Sequence, residues 1–259
     1  EAGEDQQGQI IVFINPEDAE KKHLQEDYQI DDHDLQSSLD PDEVSRLEFE
    51  PDHVAMIMKR PKNYSSKDHF LFKVASLGIF LFKERLIVIL ADDIQMFSGK
   101  HFAKVTSLMD VALRLISRII FHYMEHLKVI NMISDSIEHK INTSLENKHL
   151  LNLFTLEKSL VFYLAALNAN TMLFAKLKNS AAKMGMTADN VEMLDDIMIE
   201  NLQCSRQAEI YSNILSSMMD ARASIINNNI NVLMKTLNII TIAVMAPSLV
   251  VAIFSMNVA

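Results

Sequence analysis

The sequence predicts an α+β chain. An N-terminal α/β domain with a mixed sheet is followed by long antiparallel helices, ending in a stalk helix that continues into a transmembrane helix. Three observations predict it. Short β-rich runs, separated by turn residues, fill the chain up to about residue 98 and then stop. Beyond them apolar residues recur every three or four positions, the helical period. After Lys235 no charged side chain occurs before the end.

The elements follow in order. Gln9-Ile-Ile-Val-Phe-Ile14 is a β-rich run closed by Asn15-Pro16, a strand followed by a breaker. Pro16-Glu17-Asp18 opens a short helix, because Pro is tolerated early in a helix and acids favour its positive end. Asp31 and Asp32 cap a second short helix through Leu39. Residues 44–49 and 54–59 read as strands around Glu50-Pro51-Asp52. The clearest β signal is 70–90, where 76–82 and 86–90 flank Lys83-Glu84-Arg85, a hairpin with a three-residue loop. These strands are apolar on both faces, so helices are expected over at least one side of the sheet.

Ser98-Gly99 ends the β region. Val105, Met109, Ala112, Ile116, Ile119, Tyr123, Leu127, Ile130, Ser134, Ile137, Ile141 and Leu145 then keep one side of a helix mostly apolar for ~60 Å. A second helix is expected over 147–184, broken by Gly185, with Thr187 placed to cap a third. The third starts near Ala188 and meets no Pro or Gly before Pro247. One continuous rod of ~90 Å is expected. Such helices need partners along their length. The two preceding helices can fold back on it, and further copies can supply the rest.

Residues 237–259 are long enough to cross a bilayer, since ~20 apolar residues span the ~30 Å hydrocarbon core. Length and the lack of charge favour this over a very apolar core helix. A signal peptide would sit at the other terminus.

Composition narrows the function. With 49% apolar residues the chain is not generally disordered. A net charge of −10 argues against nucleic-acid binding. Residues 1–52 hold 17 acids and 3 bases, an acidic soluble region ahead of a nearly neutral remainder. Cys204 is the only cysteine, and no secretory signal is present, which places residues 1 to about 236 in a reducing cytoplasm. The chain does not begin with Met, as expected of a processed or engineered form. Five glycines leave little room for a phosphate-binding loop or a nucleophile elbow, and no enzyme is expected. His122-Tyr-Met-Glu-His126 matches the inverted zinc-peptidase pattern H-x-x-E-H, but no third ligand is identifiable, so these read as incidental surface histidines.

Helical spacing sorts the polar residues of the last helix. At about 100° per residue, with Asn231 at zero, Met234 falls near −60°, Asn238 near −20°, Thr241 near −80°, Met245 near −40° and Ser248 near −100°. Asn227 and Asp220 fall near about −40° and −20°. All eight share one sector. Ile239, Ile240, Ala243 and Val244 largely occupy other sides. Lipid offers no hydrogen-bond partners, so this stripe should meet protein or water. Two arrangements satisfy it: packing against another helix, or several copies enclosing a wet path about an axis. Separately, Asp196 and Glu200 share a helix face at i, i+4, beside Asp195. Their mutual repulsion is relieved either by solvent or by a bound cation.

One stretch carries a resemblance. Pro247-Ser-Leu-Val-Val-Ala-Ile-Phe-Ser-Met-Asn257 resembles the end of the first transmembrane helix of CorA-type magnesium channels. There an apolar run with a Pro closes on an aromatic residue and Gly-Met-Asn. Phe254 holds the aromatic place, Met256 and Asn257 match, and Ser255 replaces the Gly. Asp220–Lys235 and Leu156-Glu-Lys-Ser-Leu-Val-Phe-Tyr163 extend the likeness upstream.

The resemblance implies a cell-membrane homopentamer whose first helices line a conduit for Mg²⁺, with Co²⁺ or Ni²⁺ as further cargo. Its partners would be its own copies and membrane lipid, with no small-molecule substrate but the cation. Asn257, multiplied by symmetry, would form a ring that holds a hydrated cation without stripping its water. Met234 and Met245 would form narrow apolar rings, and Asp220 would attract cations at the inner mouth. Asp196 corresponds to the family's magnesium-sensing aspartate, so Mg²⁺ is expected as regulator as well as cargo. Its acidic partner on a neighbouring copy is unplaced, with Asp68, Asp92 and Asp93 as weak candidates. Family members carry a second membrane helix and a short acidic loop beyond the Asn, so this chain alone is not expected to conduct. Three parts follow: 1–98, the α/β domain; 99–236, the long-helix region; 237–259, the membrane helix. A zinc exporter of the same superfamily and a single-span coiled-coil sensor or scaffold are the alternatives.

Overall fold

The computed structural model describes residues 9–65, 68–93, 102, 105–143 and 147–255. Five strands form one sheet: β1 (Ile10–Ile14), β2 (Arg46–Phe49), β3 (His53–Pro61), β4 (Val74–Phe82) and β5 (Leu86–Leu90). Two short helices, α1 (Asp18–Glu26) and α2 (Asp32–Leu39), lie between β1 and β2 in sequence. Three long ones follow: α3 (Leu108–Thr143), α4 (Asn147–Asn179) and α5 (Ala188–Ser255).

The strand order is β1-β5-β4-β3-β2. β1 runs parallel to β5 and every other pair is antiparallel, so the sheet is mixed, as the sequence predicts. Leu81 faces Leu86, and the Phe82 amide donates to the Arg85 carbonyl at 2.9 Å, closing the expected hairpin over Lys83-Glu84-Arg85.

Strand alternation divides the side chains between two faces. On one, Ala55, Ile57, Phe80, Ile87 and Ile89 form a buried cluster with Leu24 of α1, Ile30, and Leu35 of α2. Gly78 lets α2 come this close, because a Cβ there would sit 2.1 Å from Ser38 Oγ. The opposite face carries Met56, Met58, Leu77 and Ile79, all buried, and α3 and α4 contact β3 and β4. Helices therefore cover both faces, which is why the strands read as apolar throughout.

Four boundaries differ from the sequence expectation. β2 begins at Arg46, and Val44 is exposed. Residues 70–73 are not strand: His69 and Phe70 adopt left-handed backbone, and the Phe72 amide donates to Ser159 Oγ of α4 at 3.0 Å. α4 ends at Asn179 rather than 184: the Ser180 amide is shared between the Lys176 and Leu177 carbonyls, and the Ala181 amide reaches only three residues back, to Lys178. α3 starts at Leu108, after Val105. The Met109–Ile137 members of its apolar stripe are buried as expected. Ser98, Gly99, Leu145 and the Ile141 side chain lie outside the described residues. Gly185 takes φ +64°, and Thr187 caps α5 reciprocally with Asn190, as read from the sequence.

α4 is held to the sheet by polar contacts as well as apolar ones. β2 pairs with β3 only up to Ile57, leaving the outer edge of β3 unpaired at Lys59. There the Asn170 amide acts as a substitute strand: its Oδ1 accepts from the Lys59 amide at 2.9 Å and its Nδ2 donates to the Lys59 carbonyl at 2.8 Å. Ser45 Oγ donates to the same Oδ1, and Lys176 Nζ donates to the Leu47 carbonyl of β2.

The chain divides into two compact units, Glu1–Leu215 and Ser216–Ala259. The first contains the sheet, α1 to α4 and the start of α5. In the second, every described residue from Asn227 to Ser255 is exposed.

Replacing Asn170 with Ala orphans the buried Lys59 amide and carbonyl together. A loss of about 3 kcal/mol in stability is expected, measured by chemical denaturation.

Candidate ion pathway and cation sites

The pathway candidate is built on one helix. Asp220, Asn227, Asn231, Met234, Asn238, Thr241, Met245 and Ser248 all lie within α5, so the shared sector read from the spacing exists on a regular helix. Pro247 lies inside it too, and α5 continues to Ser255 although Pro cannot donate to the Ala243 carbonyl. The other sides are apolar and uncovered: Ile239, Ile240, Val244, Leu249 and Val251 are each more than half exposed. α4 is also long and apolar enough to cross a membrane, but its most apolar window is 39% buried and it packs on the sheet, whereas none of the α5 window is buried.

The stripe's polar groups are not equivalent. Thr241 Oγ1 donates to the Leu237 carbonyl and Ser248 Oγ to the Val244 carbonyl, both at 2.8 Å. Their hydroxyl protons are satisfied by the helix itself and need no water. The amides of Asn227, Asn231 and Asn238 have no such route, and among the described residues they have no side-chain hydrogen bond. The need for an outside partner therefore rests on the amides. The hydroxyls, grouped with them by spacing, do not share it. Ser255 Oγ returns to the Ala252 carbonyl at 3.0 Å. Met256 and Asn257 lie outside the described residues.

The acids separate as well. Asp195 Oδ1 pairs with Lys178 Nζ at 2.6 Å, tying α5 to α4. Asp196, the next residue, is exposed. Glu200 is half-buried, and burial together with the Asp196 charge raises its carboxyl above the usual range. Among the described residues no three His, Cys, Asp or Glu side chains come together as a cation site. Of the acids suggested as partners for Asp196, Asp92 is occupied by Arg60 at 3.3 Å and Lys62 at 3.2 Å. Asp68 accepts from the Ser65 amide and hydroxyl. Asp93 offers its backbone carbonyl to Asn63.

The histidine pair of the peptidase-like pattern is not on the surface. His126 is buried, with its Nδ1 2.5 Å from the Tyr163 hydroxyl, and His122 is partly buried beside it. Glu125 turns to Arg118 at 3.5 Å. The spacing gave both histidines one helix face but could not say what covers it. Asn170, Ser159 and the Lys178–Asp195 pair are likewise tertiary findings. The one sequence hint was Asn170, an amide at helical spacing among Leu167, Leu173 and Phe174.

The family described as CorA-like Mg²⁺ transporter protein matches residues 5–259. The cobalt/magnesium transport protein CorA of Methanocaldococcus jannaschii is 26% identical, over 95% of this chain and 79% of the relative. The complete structure of the CorA magnesium transporter from the same organism has the same fold, with a TM-score of 0.83, 24% identity, and coverage of 96% of this chain and 80% of that one. The ZntB cytoplasmic domain from Vibrio parahaemolyticus is similar in fold alone, at TM-score 0.67 and 13% identity, covering 86% of this chain and 91% of that one.

Because the Glu200 carboxyl is raised in the folded state, its ionisation opposes folding above the ordinary value of 4.5, and the penalty disappears below it. Glu200→Gln is therefore expected to raise Tm at pH 7 and to leave it unchanged near pH 4. Thermal unfolding at both pH values checks this.

Proposed function

The chain belongs to the CorA-like Mg²⁺ transporter family, and from that premise we propose that it is the subunit of a gated, passive Mg²⁺ channel. Co²⁺ and Ni²⁺ are the further cargo. The single observation that carries the reading is Asn238, an unpartnered amide at the head of the uncovered apolar run of α5 and in the same helical sector as Asn227 and Asn231. Copies arranged in a ring satisfy these amides with water and with each other while lipid covers the aliphatic sides.

The functional division is 1–98, 99–236 and 237–259, with residues up to about 236 cytoplasmic. Five copies form the assembly. Asp220, Asn227, Asn231, Met234, Asn238, Thr241, Met245 and Ser248 line the conduit. Asn257 supplies neutral carbonyl oxygens at the entry, which hold the water shell that Mg²⁺ releases only reluctantly. The thioethers of Met234 and Met245 narrow and dry the path when closed. Ser255, Met256 and Asn257 form the entry motif, with Ser255 adding a Cβ where the family has Gly.

Asp196 is the regulatory ligand. It stands exposed while Asp195 is spent on Lys178, so a cation shared with a neighbouring copy has one free carboxylate to bind. Mg²⁺ held there favours the closed ring by binding that state more tightly. Likeness to the ZntB domain is at the level of fold, and zinc transport is separated from magnesium transport by which metal moves in flux assays.

In the complete protein, Asn257→Ala is expected to abolish Mg²⁺ uptake, and normal uptake by that variant removes the entry role. Asp196→Lys is expected to lose Mg²⁺-dependent protection from protease. The mass of the purified assembly, with and without Mg²⁺, is expected to give five copies; two copies would support a scaffold instead.

A further inference from the structure

We propose that the seam packing α3 against β3 and α4 is an acid-sensitive latch, in which protonation of the His122–His126 pair releases α3 from the sheet. It stands independently of the transport reading.

The geometry is a dry enclosure around two imidazoles one helical turn apart. Their ring centroids are 4.3 Å apart. Phe72 presents its edge to His126 at 5.3 Å and stacks on Tyr64 at 4.1 Å. Tyr163 of α4 lies parallel to His126 and bonds its Nδ1. A charged imidazolium at His126 loses water and gains no carboxylate, and at His122 it meets only Glu125, already bonded to Arg118.

β3 contributes Arg60, wholly buried, and Lys62 follows it. The one acid there, Asp92, is already shared between these two cations. α3 contributes Arg118 and Glu125, which bond each other, and Tyr123, whose buried hydroxyl has no partner. α4 contributes Tyr163, and α5 contributes Cys204 beside Tyr123, with Glu200 next to the thiol. In the loop before β4, Asp68 interacts with His69 and Lys73. Arg60 and Arg118 thus face the pair, and among the described residues the carboxylate that acts on it, Glu125, is already engaged by Arg118.

Both rings are held neutral. Burial, then the neighbouring imidazole, depresses His126 to about 3. Burial lowers His122, with Arg118 and Arg60 acting in the same direction and Glu125 against them. Protons therefore bind the opened seam, where a histidine has its ordinary value of 6.5, before they bind the closed one. The opened form gains up to about tenfold per pH unit below that value, roughly thirty-fold at pH 5 from His126 alone.

His53 provides an internal contrast. It too is buried, its ring nitrogens lack partners, and it packs on Phe82 at 4.7 Å. Burial lowers it, but Glu50, Asp34 and Asp52 all act to raise it. A proton arriving there meets carboxylates. His53 is still depressed on balance, so acid should open the α3 seam more than the α1–α2 face.

The test is hydrogen exchange of the full chain in lipid nanodiscs at pH 7 and pH 5, corrected for intrinsic rates. Loss of protection of roughly thirty-fold is expected in 119–127 and 159–167, with a clearly smaller loss in α1, α2 and β5. His122→Gln with His126→Gln should remove that loss, and His53→Gln should not. Uniform loss across both faces, or an undiminished response in the double variant, overturns the proposal. Should the double variant fail to fold, ring NMR signals of the natural protein decide. A His126 that stays neutral down to pH 4 supports the latch, and one that titrates near 6.5 while folded overturns it.

Discussion

Side-chain amides on α5 set what its apolar half asks of its surroundings. Asn227, Asn231 and Asn238 lie on a helix that offers them no partner, and Asn238 stands at the start of a run with no charged residue. Water can meet the first two ahead of that run; an amide left unpaired in an apolar medium costs several kcal/mol, so Asn238 is the one for which lipid is a poor surrounding. Hydroxyls escape this constraint, because Thr241 and Ser248 return their protons to the helix. The same helix exposes aliphatic side chains on its other sides. One helix thus makes two opposite demands on its surroundings, and a ring of copies with lipid outside meets both.

The first unit solves the reverse problem. It packs a long apolar helix, α4, on its sheet. α4 has the length and composition of a membrane span, and what distinguishes it from the apolar window of α5 is partial burial together with polar docking. Asn170 completes the open edge of β3, Ser159 receives the Phe72 amide, and Lys176 reaches the Leu47 carbonyl. Each contact satisfies a backbone group that water or another strand would otherwise have to meet. The end of α4 is then tied to α5 by Lys178 and Asp195, which also leaves Asp196 as the exposed acid of the pair.

Burial of ionisable groups on the two faces of the sheet follows different rules. On the α1–α2 face, Arg46 serves Asp34, Glu43 and Glu48, so charge is matched by charge. On the α3–α4 face, Arg60 is wholly buried with only a shared, half-exposed Asp92, and two neutral histidines stand nearby. Burial keeps both imidazoles uncharged, the neighbouring ring adds to it at His126, and Arg118 and Arg60 add to it at His122.

The sequence by itself determined the fold class, the mixed sheet with its 83–85 hairpin loop, the caps at Asp31 and Thr187, the unbroken last helix and the polar sector on it. These depend on period, turn chemistry and capping, which act over a few residues and leave a local trace. Only the tertiary structure decided what each helix face meets. It showed that Asp195 and not Asp196 pairs with Lys178, that His126 is enclosed, and that Phe70 and Phe72 bond Ser159 of α4. These outcomes depend on residues 17 to more than 100 positions apart arriving at one place, as when Asn170 meets Lys59 across a separation of 111. No local pattern records such a meeting, because an amide facing solvent and an amide completing a sheet edge occupy the same helical position.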